Sequence, residues 1–326
     1  MADRFDISVV VPTYDRRDQL ERCLRALRRQ DFDRTRYEVV VTDDGSTDGT
    51  AEMMRAFPRE APSLGYIAHA NVGRAANRNV GIRAATGKLV LFLDDDVVAD
   101  PGLIAAHHRA HAEAGYPAAA LLGYSPLAGD GGADPVMRYH RAFWERVYRR
   151  AAAPEPSRPW GLFITNNLSL RRDLLLEAGL FDEDFKQYSY EDSELGYRLM
   201  QRGVVVRFLP EARAVHHLRL DLAGSCRQAY HAGRSAVVFW RKHPELWSEL
   251  SLRSARRYDG PGRLPRWWHV AKHLAYNDPM IRRLASLAGS PAARFPQAVS
   301  RLALDIVLWH RTVAGMNDEL QQGAGG

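Results

Sequence analysis

Two cysteines, Cys23 and Cys226, are too few for a disulfide framework, and they fit a reducing compartment as small apolar side chains. No apolar run reaches the roughly 18 residues that a membrane-spanning helix needs. The opening segment MADRFDISVVVP lacks the charged-then-apolar pattern of a signal peptide, so the expected location is the cytoplasm. No G-x-G-x-x-G follows the first apolar strand, which argues against a dinucleotide-binding dehydrogenase. A Gly-rich phosphate loop with a lysine is missing there too, and PTYDRRDQ gives a nucleotidyltransferase little support. Internal repeats are absent. What the chain does have is 46% hydrophobic residues in 326, enough for one large α/β domain with a C-terminal extension, or for two domains.

Charge is unevenly spread. The formal net charge is +6. Arg253 to Arg311 holds eleven Lys or Arg against three Asp, which leaves the rest of the chain near −2. This tail also carries Trp267 beside Trp268, and a helical stripe of Val299, Leu302, Ile306, Trp309 and Val313. Packing onto the rest of the chain competes with peripheral contact to an anionic membrane at its inner face, or to a lipid phosphate. A homo-oligomer contact through residues 221–326 is a further reading. Nucleic acid is not an expected partner, because no reading motif accompanies the basic residues.

The most informative segment is LVLFLDDDVVAD, Leu89 to Asp100, an apolar run that ends in three carboxylates. Apolar strands buried on both faces belong to parallel sheets, whose ligands gather at the strands' carboxyl ends. Three acids there are costly unless something positive binds. Strand alternation sends Asp94 and Asp96 to the same side. Two hard carboxylates suit Mg2+ or Mn2+, ions that commonly also hold substrate phosphates.

The first two-thirds alternate strand-like and helix-like segments, the pattern of a doubly wound, mostly parallel sheet flanked by helices. Strands are expected at Ile7–Pro12, Glu38–Asp43, Gly65–His69, Leu89 onward, Ala120–Tyr124, within FITNNLSL, and at Val204–Leu209. Helices are expected at Asp15–Gln30, Asp48–Phe57, around Ala75–Ala84, Ile104–Ala114, from near Asp192, and at Ser225–Lys242. The AGDGGADP tract at 128–135 reads as a mobile loop. Further helices, separated by DGPG, NDP and GSP breaks, complete a helical C-terminal extension. The expected division is residues 1–220 for catalysis and 221–326 for the extension.

VVVPTYDR, VVVTDDGSTDGT, NVGRAANRNVGIRAATGKLVLFLDDD, GLFDEDF and YEDSELGYRLMQRG, in this order, resemble the family 2 glycosyltransferases of GT-A fold. The resemblance covers about residues 5 to 217. It implies transfer of one sugar from a nucleotide diphosphate sugar, with inversion, assisted by Mn2+ or Mg2+. Pro12, Thr13 and Tyr14 match the segment lying along the nucleobase, and Asp43 with Asp44 matches the element that reads it. An aspartate accepts from a base imide N–H, which favours UDP or dTDP as the donor nucleotide. Arg78 matches the family's arginine, suited to a phosphate or base oxygen.

Asp96 is the first expected metal ligand. Asp94 shares the metal or binds ribose, and Asp95 either points away or binds the nucleotide in an alternative register. Of His216 and His217, His216 is preferred as the ligand that completes the metal shell. Asp192 matches the family's catalytic base, with helix capping as the competing role, and Glu191 orients the acceptor. Trp160 and Asn166 or Asn167 border the sugar site or pack in the core. His107 and His111, one helical turn apart, read as a solvated face. Polymer-forming members carry Q-x-x-R-W, whereas Gln228 is followed by AYHAG, so single additions are expected. The acceptor is a glycan, a lipid-linked sugar or a natural product. A nucleotidyltransferase of similar fold and a non-catalytic sugar-nucleotide or lipid-binding module are the alternatives.

Overall fold

The aliphatic runs that dominate the N-terminal half form one sheet, because strands apolar on both faces need helices on both sides. The computed structural model describes residues 4–58, 62–113, 118–129, 132, 134–186, 188–250 and 297–322. The strands are β1 Phe5–Thr13, β2 Tyr37–Asp43, β3 Ser63–Ala68, β4 Gly87–Leu93, β5 Val97–Ala99, β6 Ala119–Tyr124, β7 Asn167–Arg171 and β8 Val205–His216. The helices are α1 Arg17–Leu27, α2 Thr50–Ala56, α3 Arg74–Ala84, α4 Leu103–Glu113, α5 Pro135–Ala151, α6 Arg172–Glu177, α7 Glu191–Met200, α8 Leu222–Lys242 and α9 Gln297–Gln322.

Sheet order is β3-β2-β1-β4-β7-β6-β8-β5. β3, β2, β1 and β4 are mutually parallel, β7 runs antiparallel to β4 and β6, β8 is parallel to β6, and β5 is antiparallel to β8. The sheet is therefore mixed, with its parallel half where the expected βα alternation lies. Alternate residues enter two separate cores. Val9, Val11, Leu91 and Leu93 pack with Leu20 and Leu24 of α1, Met54 of α2 and Ile104 of α4. Val10, Val90, Phe92, Leu168 and Leu170 pack on the other face with Ile82 of α3, Val147 of α5, Leu175 of α6 and Leu195 of α7. α3 sits so close that a Cβ at Gly81 would lie 2.4 Å from Val10 Cγ1. Such overpacking costs about 1–3 kcal/mol.

The chain divides into two compact units, one of residues 1–128, 144–186 and 191–218, the other of 129–143, 187–190 and 219–326. The first holds the sheet. In the second, Asp221 caps α8 by accepting from the Gly224 N–H at 2.7 Å. α8 and α9 touch backbone to backbone, since a Cβ at Gly233 would stand 1.9 Å from the Thr312 carbonyl oxygen, and one at Gly315 as close to that of Tyr230. This contact sets the rotation of α9. Its buried side chains are Ala303, Leu304, Val307, Leu308 and Met316, while Leu302 of the expected stripe is 61% exposed.

Helix α5, strand β5 and helix α6 have no counterpart in the sequence expectations. β5 is only three residues long, and the Gly-rich tract hides the start of α5. The basic residues from Arg253 to Arg294, Trp267, Trp268 and the three breaks lie outside the described residues. Among the described residues, no helix is long and apolar enough to cross a membrane.

Candidate active site

The acids of Asp94–Asp96 follow directly on β4, where the chain leaves the strand in a turn. Strand alternation therefore stops at Leu93, and the three carboxylates take partners that the spacing of two does not foresee. Asp94 Oδ1 accepts from Arg78 Nη2 at 3.2 Å. Asp95 and Asp96 instead share one nitrogen, Arg16 Nη1, at 3.0 and 2.9 Å. Asp95 does not point away to solvent: it is buried, and its Oδ2 accepts from the Thr13 hydroxyl at 2.8 Å.

Arg16 escaped the sequence reading. It sits in the turn after β1, the neighbour of β4, and that turn is tied to the loop after β2. Asp15 N donates to Ser46 Oγ at 2.8 Å, and Asp15 Oδ1 accepts from Thr47 N at 2.7 Å. Asp15 takes a φ of 50°, which a short polar side chain tolerates. The signal that could have found Arg16 is electrostatic: three acids at a strand end call for a cation, and the adjacent strand end offers one. Burial opposes its charge, yet Asp95 and Asp96 drive the Arg16 pKa upward. Asp95, pushed up by burial, reaches about 6 even with Arg16 beside it.

Pairing of β5 with β8 sets Val97 opposite His216, which brings that imidazole to the preceding residue, Asp96. His216 Nε2 lies 3.2 Å from Asp96 Oδ1. His217 contributes its backbone N–H to the Asp96 carbonyl at 2.8 Å. Burial alone would raise the Asp96 carboxyl, but contact with His216 and the charge of Arg16 hold it at about 2. The Trp144 ring meets the His216 ring edge to face at 5.6 Å.

No three His, Cys, Asp or Glu side chains among the described residues converge as a ready metal cluster. Asp96 and His216 nonetheless fit a divalent ion. Asp96 Oδ1 and the nitrogen facing it, His216 Nε2, are the two atoms that would hold it, and the other ring nitrogen, Nδ1, is buried without a hydrogen bond. Ligand atoms 3.2 Å apart match the edge of about 3 Å expected for octahedral bonds near 2.1 Å. A carboxylate with an imidazole also suits Mn2+.

Arg78 is 4% exposed and is held by its neighbours on α3. Asn77 Nδ2 donates to the Thr42 carbonyl at 3.2 Å, and Asn79 exchanges two 2.9 Å bonds with the Phe181 backbone. Between them, Arg78 Nη1 donates to Glu191 Oε1 at 3.1 Å. Its terminal nitrogens thus join Asp94 to helix α7. That helix is seated by Gly196, where a Cβ would lie 2.4 Å from Phe163 Cβ, and by the bidentate Glu194–Arg198 pair at 2.7 and 2.8 Å. Its first turn carries Glu191, Asp192 and Glu194, a placement the helix dipole favours. Asp192 lies within the helix, not at its cap, although its Oδ1 accepts from the Ser193 N–H at 2.7 Å. Loss of solvent, then the charge of Glu191, pushes the Asp192 carboxyl up to about 7.

At the ends of β1 and β2, Asp43 and Asp44 are buried and engaged. Asp43 accepts from Tyr66 OH at 2.5 Å and Ser46 N at 2.9 Å, while Asp44 accepts from Val72 N at 2.7 Å and Gly73 N at 3.0 Å. Each oxygen keeps a second lone pair for a ligand. Tyr14 and Val72 are 50% and 48% exposed. Pro12 is half-buried, and the Thr13 side chain serves Asp95.

Three further expectations resolve. Trp160 is buried in the core. Asn167 is committed to His107 at 2.9 Å, Ser125 at 3.1 Å and the Ala212 carbonyl at 3.0 Å. The solvated histidine face is overturned: His107 is fully buried, and both it and the part-buried His111 bond to Ser169 Oγ, at 2.7 and 2.9 Å. Spacing on a helix cannot tell solvent from a sheet that supplies hydroxyl and amide partners.

A family model described as glycosyl transferase family 2 matches residues 8–178. Validoxylamine A glucosyltransferase of Streptomyces hygroscopicus subsp. jinggangensis is 34% identical over 325 residues, spanning 92% of this chain and 72% of that protein. The uncharacterized glycosyltransferase YfnE of Bacillus subtilis is 30% identical over 251 residues, 64% of each chain. Among solved structures, a mannosyltransferase from Pyrobaculum calidifontis in complex with GDP-Man and Mn2+ aligns with a TM-score of 0.56 at 22% identity, over 99% of this chain and 86% of that one. Staphylococcus aureus TarS in complex with UDP-GlcNAc aligns with a TM-score of 0.54 at 17% identity, over 98% and 92%. With an acid-tipped sheet edge, a GT-A fold shared with these structures and a family match over half its length, the chain belongs to glycosyl transferase family 2 and is a glycosyltransferase.

Proposed function

We propose that this glycosyltransferase moves a single sugar from a nucleotide diphosphate sugar, UDP- or dTDP-linked, to an acceptor hydroxyl with inversion. The observation that carries this reading is the simultaneous contact of Arg78 with Asp94 and Glu191, which joins a donor-side acid to the acids of α7. The acceptor oxygen attacks the anomeric carbon, the bond from that carbon to the diphosphate oxygen breaks, and the nucleoside diphosphate leaves. Asp192 takes the acceptor proton, and its raised pKa suits a base near neutral pH. Glu191 orients the acceptor. Asp43 and Asp44 read the base imide while Pro12 and the exposed Tyr14 flank it. Asp96 and His216, with help from Asp94, would hold a divalent ion, which would supply charge stabilisation for the departing diphosphate.

The relative named for validoxylamine A supports a glucosyl donor and a natural-product acceptor, and the neighbours named with GDP-Man and UDP-GlcNAc support a nucleotide-sugar donor. The test is a panel of sugar nucleotides with Mn2+ or Mg2+, read as binding, donor hydrolysis and anomeric configuration of the product. Asp96→Ala is expected to remove metal-dependent donor binding. Binding of no sugar nucleotide by folded protein, or retention of configuration, refutes the reading.

A further inference from the structure

At the end of β4 away from the acids, a cleft of about 580 Å3 opens at the sheet edge. Its wall includes Leu89 of β4, which pairs with Arg171 of β7, and it reaches α4 at His111 and α6 at Arg172. Leu89 stands five residues before Asp94, about 16 Å away at the rise of an extended strand. The cleft is therefore separate from the donor site proposed above.

Both carboxylates that line it are already neutralised. Asp6 Oδ2 accepts from Arg36 Nε at 2.6 Å, and Asp173 Oδ1 accepts from Arg171 Nε at 3.0 Å. Two cations are left over. The Lys88 ammonium makes no ion pair among the described residues. Arg172 donates from Nε to the Ile82 carbonyl at 3.1 Å and from Nη2 to the Arg83 carbonyl at 3.3 Å, bonds that fix the guanidinium without cancelling its charge. Alternation along β4 gives Lys88 the face of Val90 and Phe92, which α6 covers through Leu175. The two charges thus share one side of the sheet, in a concavity that also has an apolar lining. Leu89 and Leu176 supply that lining, and Leu176 is 42% exposed.

Two cations complement a dianion. A phosphate monoester carries close to two charges at neutral pH, whereas a carboxylate carries one. The cleft has the volume of a small-molecule site, far more than a bare phosphate fills, and its leucines offer contact to the esterified group. We infer that this cleft is a second ligand site, which binds a phosphate monoester with an apolar body.

The experiment is titration calorimetry in EDTA at low ionic strength, with phenyl phosphate, inorganic phosphate and phenol as probes. Phenyl phosphate is expected to bind at one site per chain, about tenfold more tightly than inorganic phosphate, because the ring adds apolar contact. Phenol alone gives no heat. Lys88→Gln is expected to weaken phenyl phosphate about tenfold, the scale of a lost hydrogen bond to a charged group, and added salt weakens the wild type as well. Leu176→Ser brings phenyl phosphate close to the affinity of inorganic phosphate. Asp96→Ala binds as wild type does. Arg172→Gln also loses the two carbonyl bonds, so Lys88→Gln, at an exposed position, carries the test.

No binding of phenyl phosphate at millimolar concentration overturns the inference. So does equal affinity in Lys88→Gln and wild type, equal affinity for the two phosphates, or loss of binding in Asp96→Ala, which would place the anion at the other end of the strand. The titration contains neither metal nor sugar nucleotide. Its failure leaves the proposed sugar transfer standing, and failure of transfer leaves this cleft's ligand standing.

Discussion

Arg78 Nη1 lies 3.1 Å from Glu191 Oε1, and Glu191 Oε2 is buried with no hydrogen-bond partner. The two residues are far apart in sequence and both about one-twentieth exposed, so Arg78 is what compensates the Glu191 carboxylate in a medium of low dielectric. Arg78 also neutralises Asp94, and its Nε is buried without a partner. Such a cluster holds its geometry only while the guanidinium is present, because an ammonium cannot fork to two carboxylates.

Replacing Arg78 with Met strands two acids, one of them buried. The expected loss of stability is about 3–5 kcal/mol, measured by urea unfolding at pH 8. Adding Glu191→Gln to Arg78→Met removes the stranded buried charge and is expected to recover more than half of the loss. Arg78→Lys falls between wild type and Arg78→Met. If the double variant is no more stable than Arg78→Met, the pair is not the source of the cost.

Asp192 gives the pH prediction. Its carboxyl is raised to about 7 by desolvation and Glu191, against the lowering effect of Arg78. In its proposed role as base Asp192 acts when unprotonated, so kcat/KM is expected to rise with pH through about 7, and Glu191→Gln to move that midpoint down. Asp192→Asn is expected to lose about 100- to 10,000-fold in transfer while binding donor normally. The stability sign is the reverse of an ordinary ion pair. The folded pKa exceeds the unfolded value near 3.9, so ionisation weakens the fold as pH rises from about 4 through 7. Asp192→Asn should melt higher than wild type at pH 8 and alongside it at pH 4.

The parallel half of the sheet was legible because runs such as Val9–Val11 and Val39–Val41 are apolar on both faces and each is followed by a helical stripe. The acids at Asp43, Asp44 and Asp94–Asp96 were legible as strand ends. Their partners were not. Alternation ends with the strand, so the spacing of Asp94 and Asp96 said nothing about which guanidinium each meets. Arg16 reaches Asp95 and Asp96 from a loop and Arg78 reaches Asp94 from a helix, elements that only the sheet order brings together. The three residues of β5 carry no periodic signal, yet their pairing is what delivers His216 to Asp96. α9 shows the same limit in a helix: five apolar positions fit one stripe, and the close Gly233–Gly315 contact turned another inward.

His107 and His111 form the next test. Burial lowers both to about 4, and both rings bond to Ser169. Their unfolded value is near 6.5, so below that pH the unfolded chain binds more protons than the folded one. Stability from these neutral rings is full above about 6.5 and falls as pH drops toward 4. Thermal melts of wild type should decline over this interval, and His107→Gln should flatten the slope while lowering stability at pH 8. An unchanged slope would remove His107 as its source.

Arg16 bears on metal affinity. Its guanidinium is 35% exposed and contacts Asp96 at 2.9 Å, on the oxygen opposite the one that faces His216. A guanidinium on the other oxygen of the same carboxylate would oppose a divalent cation taken up there, and solvent and salt reduce the repulsion. Arg16→Gln is therefore expected to bind Mn2+ about tenfold more tightly without nucleotide, read by electron paramagnetic resonance titration. Arg16→Lys keeps the charge and should stay near wild type. The opposite result, weaker binding in Arg16→Gln, would mean that fixing the Asp95 and Asp96 carboxylates matters more than the repulsion. The two effects separate cleanly with salt: repulsion fades as ionic strength rises, so the gap between Arg16→Gln and wild type should narrow, whereas a loss of carboxylate order would persist.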